Sequence, residues 1–206
     1  MIKAVLFDMD GVLIEAKDWH YEALNRALEL FGMEIQRDAH LATFDGLPTR
    51  AKLKMLSASR GLPERMHEFL NRLKQKYTLE ISYAKCKPVF FHQIALSRLK
   101  DEGYRLAVCS NSVRGSVESM MKLSRLEQFL DVMVSNEDVT KPKPDPEMYS
   151  KTIEGFNLNP EECLILEDNE HGIRAARASG AHVLEIGTIY DVTYERIREA
   201  IDVIEA

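Results

Sequence analysis

The sequence predicts an α/β protein in which a small helical domain is inserted into a doubly wound parallel sheet. From about residue 88 onward, short apolar runs alternate with helical patterns, as they do in sheets covered by helices on both faces. Residues 5–7 form another apolar run, typical of a strand buried on both faces. Between these parts, residues 15–82 show helical periodicity alone. We therefore expect a Rossmann-like core of residues 1–14 and 83–206 and an inserted domain of residues 15–82.

The first strand leads into two aspartates, Asp8 and Asp10, followed by Gly11. Side chains alternate along a strand, so both carboxylates point the same way if the chain stays extended. Two adjacent carboxylates repel each other unless a cation compensates, and ligands of open α/β sheets bind at this end of the strands. The pattern favours a metal or phosphate site. The alternative is an ordinary acidic turn, in which Asp and Gly are common.

The inserted domain is predicted to contain helices in which apolar residues recur at helical spacing until a glycine or proline intervenes. Asp18 is expected to cap the first of them. Residues 44–48 are expected to form a turn-rich loop between the first and second helices. The expected helices span about residues 18–31, 49–60 and 63–77.

In the core, apolar strands are expected to alternate with amphipathic helices up to the end of the chain. Three prolines at residues 142, 144 and 146 exclude a helix interior or a central strand between the third strand and the next helix. The expected strands span residues 105–109, 132–134, 163–166 and 181–186, and the expected helices span residues 89–99, 114–123, 147–154, 172–179 and 194–204.

Composition narrows the possible functions. A chain of 206 residues with 45% apolar and 29% charged residues is typical of a soluble globular protein. No apolar run approaches the ~20 residues that cross a bilayer, and a net charge of −6 gives no reason to expect nucleic acid as a partner. The three cysteines lie far apart, which fits buried thiols in a reducing cytoplasm. We expect a cytoplasmic protein, a monomer or weak homodimer, that binds neither membrane nor nucleic acid.

Polar residues follow four predicted strands, at Asp8 and Asp10, at Ser110-Asn111, at Lys141 and at Glu167-Asp168. These D-x-D-G-V, strand-S-N, K-P-x-P and E-D signatures occur in order, and together they resemble the haloacid dehalogenase superfamily of phosphotransferases. The insert after the first strand resembles the helical cap of the β-phosphoglucomutase and phosphoglycolate phosphatase branch. The resemblance covers essentially the whole chain.

The resemblance implies roles for the acidic residues. Asp8 resembles the nucleophile that forms an aspartyl-phosphate, and Asp10 resembles the general acid and base. Asp8, the backbone carbonyl of Asp10 and Asp168 would hold Mg²⁺, with Glu167 as a supporting partner of that site. Taken alone, Glu167 and Asp168 could merely favour the N-terminus of the following helix.

The resemblance also implies a phosphoryl-binding group. Ser110 and Asn111 resemble residues that hydrogen-bond the transferring phosphoryl group, and Lys141 resembles the lysine that places a positive charge beside it. Each has a plain alternative, a strand-ending turn for Ser110-Asn111 and a solvated surface lysine for Lys141. Lys143 lies in the same proline-rich loop, and we interpret it as a surface residue.

Cap residues are expected to choose the substrate. His20 occupies a position that faces the active site in related caps, and Thr49 and Arg50 follow a loop that in those caps reaches over the phosphate. Arg50 suits a second phosphate or a carboxylate through its planar guanidinium. His20 could equally be structural, and Arg50 could simply be solvated on an exposed helix.

These features predict a Mg²⁺-dependent phosphatase of small phosphorylated metabolites, most of all sugar or polyol phosphates. A phosphosugar mutase is the first alternative. It is disfavoured because Thr49 takes the position of the mutase arginine and Leu73 that of the mutase cap lysine in an ungapped alignment. A catalytically silent binding or regulatory protein is the second alternative. Asp10 argues against dehalogenase chemistry, because dehalogenases of the superfamily lack this second aspartate.

Overall fold

A five-stranded parallel sheet, with the strand order β3-β2-β1-β4-β5, organises the larger part of the molecule. The structure is a computed structural model that describes residues 1–44 and 47–206. All four residues of the central strand are buried, as the apolar run at the start of the chain predicts. The strands are β1 (Ala4–Phe7), β2 (Arg105–Cys109), β3 (Val132–Val134), β4 (Cys163–Glu167) and β5 (His182–Glu185).

The strands alternate with helices after the first strand and its long insertion. Short 3₁₀ turns precede several of these elements. The helices are α1 (Lys17–Glu29), α2 (Arg37–Ala39), α3 (Thr49–Arg60), α4 (His67–Lys85), α5 (Phe90–Asp101), α6 (Arg114–Leu123), α7 (Glu147–Gly155), α8 (Glu170–Ala178) and α9 (Tyr194–Glu205).

The strand order makes the sheet doubly wound. The chain moves outward from β1 through β2 to β3, crosses to β4 on the other side of β1, and continues outward to β5. Because crossover connections are right-handed, the two directions of winding place helices on opposite faces. The switch between the two halves falls at β1, and ligands of such sheets bind at the carboxyl ends of the strands beside a switch point. The predicted fold class is confirmed.

The chain divides into two compact units, one formed by Met1–Glu15 with Lys87–Ala206 and the other by Ala16–Cys86. The second unit has its own apolar core, built from α1, α3, α4 and the segments between them. None of the described residues of that unit lies in a strand. The buried residues of this core are Leu24, Ala27, Leu28, Ile35, Phe44, Leu53, Leu56, Leu62 and Leu70.

Helix α3 has the predicted bounds, but two other features of the second unit differ from the expectation. Helix α1 begins at Lys17 after Ala16, and the Asp18 side chain does not cap it but pairs with Arg37 at 2.7 Å. The ion pair with a distant residue replaces the local cap. Helix α2 continues into a π-helical segment, His40–Phe44, that the periodicity does not predict. Of the expected loop at residues 44–48, Asp45 and Gly46 lie outside the described residues.

Among helices of the described residues, none is both long enough and apolar enough to cross a membrane.

Candidate active site

Strand register brings three residues of the sheet to the same level. Phe7 of β1 pairs with Val108 on one side and with Leu166 on the other. The next residues along the three strands are Asp8, Cys109 and Glu167. The Asp8 N–H donates to the Leu166 carbonyl at 2.9 Å, so the chain stays extended as far as Asp8. The carboxylates of Asp8 and Glu167 therefore meet at the carboxyl end of the sheet.

A tight turn follows Asp8. The Leu13 and Ile14 N–H groups both donate to the Met9 carbonyl, at 3.0 and 2.9 Å. Gly11 has a φ of 95°, which is strained for residues with a Cβ, and its N–H donates to the Ile14 carbonyl at 2.7 Å. The turn brings Ile14 back beside Asp10, and the two residues form an isolated bridge.

Asp8, Glu167 and Asp168 form an acidic cluster whose ligand atoms all lie within 4.8 Å of one another. Asp8 and Glu167 are buried, and Asp168 is half-buried. One buried ammonium group, that of Lys143, contacts two of these three carboxylates, so the cluster keeps an excess of negative charge, which fits Mg²⁺. The Asp10 side chain is not part of this cluster, and the expected ligand from that residue is its backbone carbonyl.

Lys143, and not Lys141, supplies the positive charge of the site. Its Nζ donates to Asp8 Oδ1 at 2.6 Å, to Glu167 Oε1 at 2.7 Å and to the Cys109 carbonyl at 2.7 Å. These three acceptors engage all three donors of the ammonium group. The Lys143 side chain is 3% exposed. The interpretation of Lys143 as a surface residue is therefore wrong.

Lys141 lies on the surface, contrary to the predicted role. Its side chain is 72% exposed, and its Nζ lies 3.9 Å from Asp145 Oδ2. Two overlapping K-P-x-P sequences explain the error, since one begins at Lys141 and the other at Lys143. In the second, the final proline, Pro146, is the N-cap of α7. The proline beside the predicted start of this helix distinguishes the K-P-x-P sequence that begins at Lys143 from the one that begins at Lys141.

The pKa values of Asp8 and Lys143 are both raised, for different reasons. Burial raises the pKa of Asp8 well above its usual range, the Glu167 carboxylate raises it further, and the Lys143 ammonium lowers it in part. Burial alone would lower the pKa of Lys143, but the carboxylates of Asp8 and Glu167 outweigh burial and raise it. The lysine is therefore charged at neutral pH.

Tyr149 on α7 supports both members of the Lys143–Glu167 pair. Its hydroxyl donates to Glu167 Oε1 at 2.6 Å, and Lys143 Nζ lies 4.7 Å from the centre of its ring. The side chain is completely buried. Burial raises the pKa of Tyr149, and the carboxylates of Glu167 and Asp8 raise it further. The phenol therefore remains a hydrogen-bond donor. The sequence predicts only that this residue lies in a helix.

Gly172 makes room for the Glu167 carboxylate. A Cβ on Gly172 would lie 2.0 Å from Glu167 Oε1 and 2.1 Å from Oε2, closer than any two such atoms can approach. A glycine in the first turn of α8 is thus required by the buried carboxylate, not by the helix itself.

Ser110 and Asn111 follow β2 directly, as predicted, but their side chains do different things. Ser110 is fully buried, and its Oγ accepts from the Ser112 N–H at 3.0 Å. Asn111 Nδ2 donates to the Lys143 carbonyl at 3.1 Å, and Asn111 Oδ1 accepts from the Lys143 N–H at 3.0 Å. The Asn111 amide thus holds the backbone of Lys143, a role that the sequence does not predict, and its expected phosphoryl contact stays a prediction.

The predicted cap residues all belong to the second unit. His20 Nδ1 lies 3.0 Å from Lys74 Nζ, which requires an unprotonated Nδ1 if the lysine donates. Thr49 is the first residue of α3 and is half-buried, whereas Arg50 is exposed. Leu73 packs against the apolar core of this unit. The lysine beside His20 is Lys74, which is one residue beyond Leu73.

Comparison with known proteins places the chain in a family. The model of the haloacid dehalogenase-like hydrolases matches residues 5–186. The chain is 30% identical to a phosphorylated carbohydrates phosphatase of Thermotoga maritima, covering 94% of this chain and 86% of that protein. It is 28% identical to the pyrophosphatase PpaX of Bacillus mycoides, covering 90% and 83%. A β-phosphoglucomutase structure from Clostridium difficile shares the fold, with a TM-score of 0.85 and 19% identity over 98% of both chains.

The chain belongs to the haloacid dehalogenase-like hydrolase family. It is accordingly an enzyme, a hydrolase of the phosphatase class.

Proposed function

We propose that this enzyme hydrolyses small phosphate monoesters, most of all sugar or polyol phosphates, through a phosphoryl group carried on Asp8. The observation that carries the proposal is the contact between Asp8 Oδ1 and Lys143 Nζ at 2.6 Å, within an acidic cluster at the switch point of the sheet. The substrate class is supported by the relative that is named a phosphorylated carbohydrates phosphatase.

The first chemical step is attack by Asp8 on the phosphorus atom of the ester. Because Oδ1 accepts from Lys143, we assign the attack to Oδ2. The bond between phosphorus and the ester oxygen breaks, and Asp10 gives its proton to the departing alkoxide. In the second step, water attacks phosphorus and passes a proton to Asp10, and the bond between phosphorus and Asp8 breaks.

Lys143 favours the ionised form of Asp8 and orients its carboxylate while charge moves from that carboxylate to the phosphoryl group. The Ser110 hydroxyl, whose oxygen accepts from Ser112, is proposed to donate to a phosphoryl oxygen. Asp8, Asp168 and the Asp10 carbonyl would hold Mg²⁺, which supplies positive charge that offsets the repulsion between carboxylates and phosphate. Glu167 supports this group through Lys143.

The second unit is proposed to act as a cap that selects the leaving group, through His20, Thr49 and Arg50. We further propose a cytoplasmic enzyme that acts as a monomer or weak homodimer. The buried thiols of Cys86, Cys109 and Cys163 support a reducing compartment.

A phosphosugar mutase is retained as the second candidate because of one contact. Lys74 Nζ lies 3.0 Å from His20 Nδ1, and a cap lysine near the site is a feature of the mutases to which the chain is similar. The position of Leu73 is therefore a weaker argument against mutase activity than the ungapped alignment suggests.

The test is a phosphate-release screen over sugar, polyol, nucleotide and carboxylic acid phosphates, with wild type and Asp8→Asn side by side. We expect release from a sugar or polyol phosphate in Mg²⁺, none from Asp8→Asn, none in excess chelator, and poor activity with Ca²⁺, whose coordination is larger and less regular. Conversion of a hexose 1-phosphate to its 6-phosphate without net phosphate release would favour the mutase. Binding of esters without turnover of any would favour a silent protein.

A further inference from the structure

Ser112 contacts two residues of the proposed active site from one position. Its hydroxyl donates to Asp10 Oδ2 at 3.1 Å, and its N–H donates to Ser110 Oγ at 3.0 Å. The carbonyl of Ser112 accepts from the Asn136 N–H at 3.1 Å, which ties the loop after β2 to the loop after β3. Three polar groups of one residue are thus used, and two of them point at Asp10 and Ser110.

We propose that Ser112 is the positioning residue of Asp10, holding its carboxyl group in the orientation from which a proton reaches the leaving group. The proposal rests on the proposed function, because it assigns a role within the same reaction. Ser112 does not touch the reacting atoms and acts through Asp10.

The hydrogen bond fixes the position of one oxygen of the Asp10 carboxyl group. Because the Ser112 hydroxyl donates to Oδ2, we assign the proton for the ester oxygen to Oδ1. The same contact restricts rotation of the carboxyl group. Proton transfer is sensitive to such orientation, because the donor must lie within hydrogen-bond distance of the departing oxygen.

The backbone explains why Ser112 can hold Asp10. Asp10 lies at the start of the tight turn after β1, where the bridge to Ile14 fixes its backbone. Ser112 lies between β2 and α6, and its carbonyl is held by Asn136. Asp10 is thus held at its backbone by the turn after β1 and at its carboxyl oxygen by the loop after β2.

The test uses the different need of two esters for a proton. The phenolate of p-nitrophenyl phosphate is a stable leaving group that departs without a proton, whereas an alkyl phosphate such as glycerol phosphate needs one. The value of kcat/KM reports the steps up to formation of the phosphorylated enzyme, so it isolates the acid role of Asp10 from its later role as a base. Both esters are measured on wild type, Ser112→Ala, Ser112→Thr, Asp10→Asn and the double variant.

We expect Ser112→Ala to lower kcat/KM for glycerol phosphate about tenfold, the effect of a lost hydrogen bond to a charged group, and for p-nitrophenyl phosphate less than about twofold. Ser112→Thr, which keeps the hydroxyl, should retain the wild-type ratio between the esters. In an Asp10→Asn background, Ser112→Ala should cause no further loss. The matched control is Ser124→Ala, which removes a buried hydroxyl whose partner is the Met121 carbonyl, and should leave both values unchanged.

Equal losses on both esters, no loss on either, or an added loss in the Asp10→Asn background would overturn the role of Ser112 while the proposed function stands. If wild type cleaves both esters but Asp10→Asn shows no preference for the better leaving group, the acid role of Asp10 is wrong, and the role of Ser112 is wrong with it. If wild type releases phosphate from neither ester under any metal condition, the proposed function itself fails. The outcomes are therefore distinguishable.

Discussion

Lys143 Nζ and Asp8 Oδ1 form a buried ion pair at 2.6 Å, and a second carboxylate, Glu167, contacts the same ammonium group at 2.7 Å. A buried charge pair is costly to break, because removal of one partner leaves the other without compensation. Here one cation serves two carboxylates. The same ion pair therefore stabilises the folded site and contacts the residue proposed to react.

Lys143→Met is expected to lower kcat about 100- to 1000-fold, the usual effect of removing a preorganised charge beside a reacting group. Lys141→Met, in the same loop with an exposed side chain, should leave kcat within about twofold of wild type. Steady-state kinetics on the best ester decide this, with circular dichroism to verify that both variants fold. A folded and fully active Lys143→Met, or equal losses in the two variants, would show that the lysine is wrongly assigned.

Tyr149→Phe is expected to lower the free energy of unfolding by about 1.5–3 kcal/mol, because Glu167 loses a buried hydrogen-bond donor. The ring remains beneath Lys143, so only the hydroxyl is tested. Tyr190→Phe is the matched control, since Tyr190 is 65% exposed and its stability effect should be close to zero. Urea unfolding of both variants measures the difference, and equal effects would contradict the role of the hydroxyl.

Gly172→Ala is expected to destabilise the protein by about 1–3 kcal/mol and to lower activity, because the added Cβ displaces the Glu167 carboxylate from Lys143. Gly115→Ala on α6 is the control, since nothing lies within 4 Å of the added carbon. That variant should be as stable as wild type or slightly more stable. Thermal unfolding and kcat are measured together, and a neutral Gly172→Ala would rule out the packing constraint.

Arg50→Ala is expected to change the ranking of substrates. If the guanidinium binds an anionic group of the leaving group, kcat/KM on such an ester should fall about ten- to hundredfold, with little change on p-nitrophenyl phosphate. Lys54→Ala, exposed on the same helix α3, is the control. Equal losses on both esters would assign Arg50 to the fold, and no loss on either would make it a solvated surface residue.

The sequence predicts the sheet well because its strands are short buried apolar runs. The bounds of β2 and β3 and of helix α6 agree with the periodicity, since a glycine or a polar turn ends each run. The acidic residues after β1 and β4 were also predictable. The carboxyl ends of neighbouring parallel strands lie at the same edge of the sheet, so residues that follow those strands lie close together.

The contacts between loops were not predictable in the same way. Two lysines two residues apart fit one pattern, and only the position of α7 distinguishes Lys143 from Lys141. The pairing of Asn111 with Lys143, and of Ser112 with Asp10, depends on how loops from different strands approach each other. Local sequence does not encode such an approach, because the partners lie 32 and 102 residues apart along the chain.

The central claim, a covalent phosphoryl group on Asp8, is tested most directly by trapping that group. Asp10→Asn should slow the attack of water more than phosphorylation by an ester with a good leaving group, so the phosphorylated enzyme should accumulate with p-nitrophenyl phosphate. Acid quenching followed by borohydride reduction converts an aspartyl-phosphate to homoserine, which peptide mass spectrometry locates. We expect homoserine at position 8 and none in a matched Asp8→Asn sample. Turnover by the wild-type enzyme with no modification at position 8, or with homoserine at another aspartate, would contradict the assignment of Asp8 as the nucleophile.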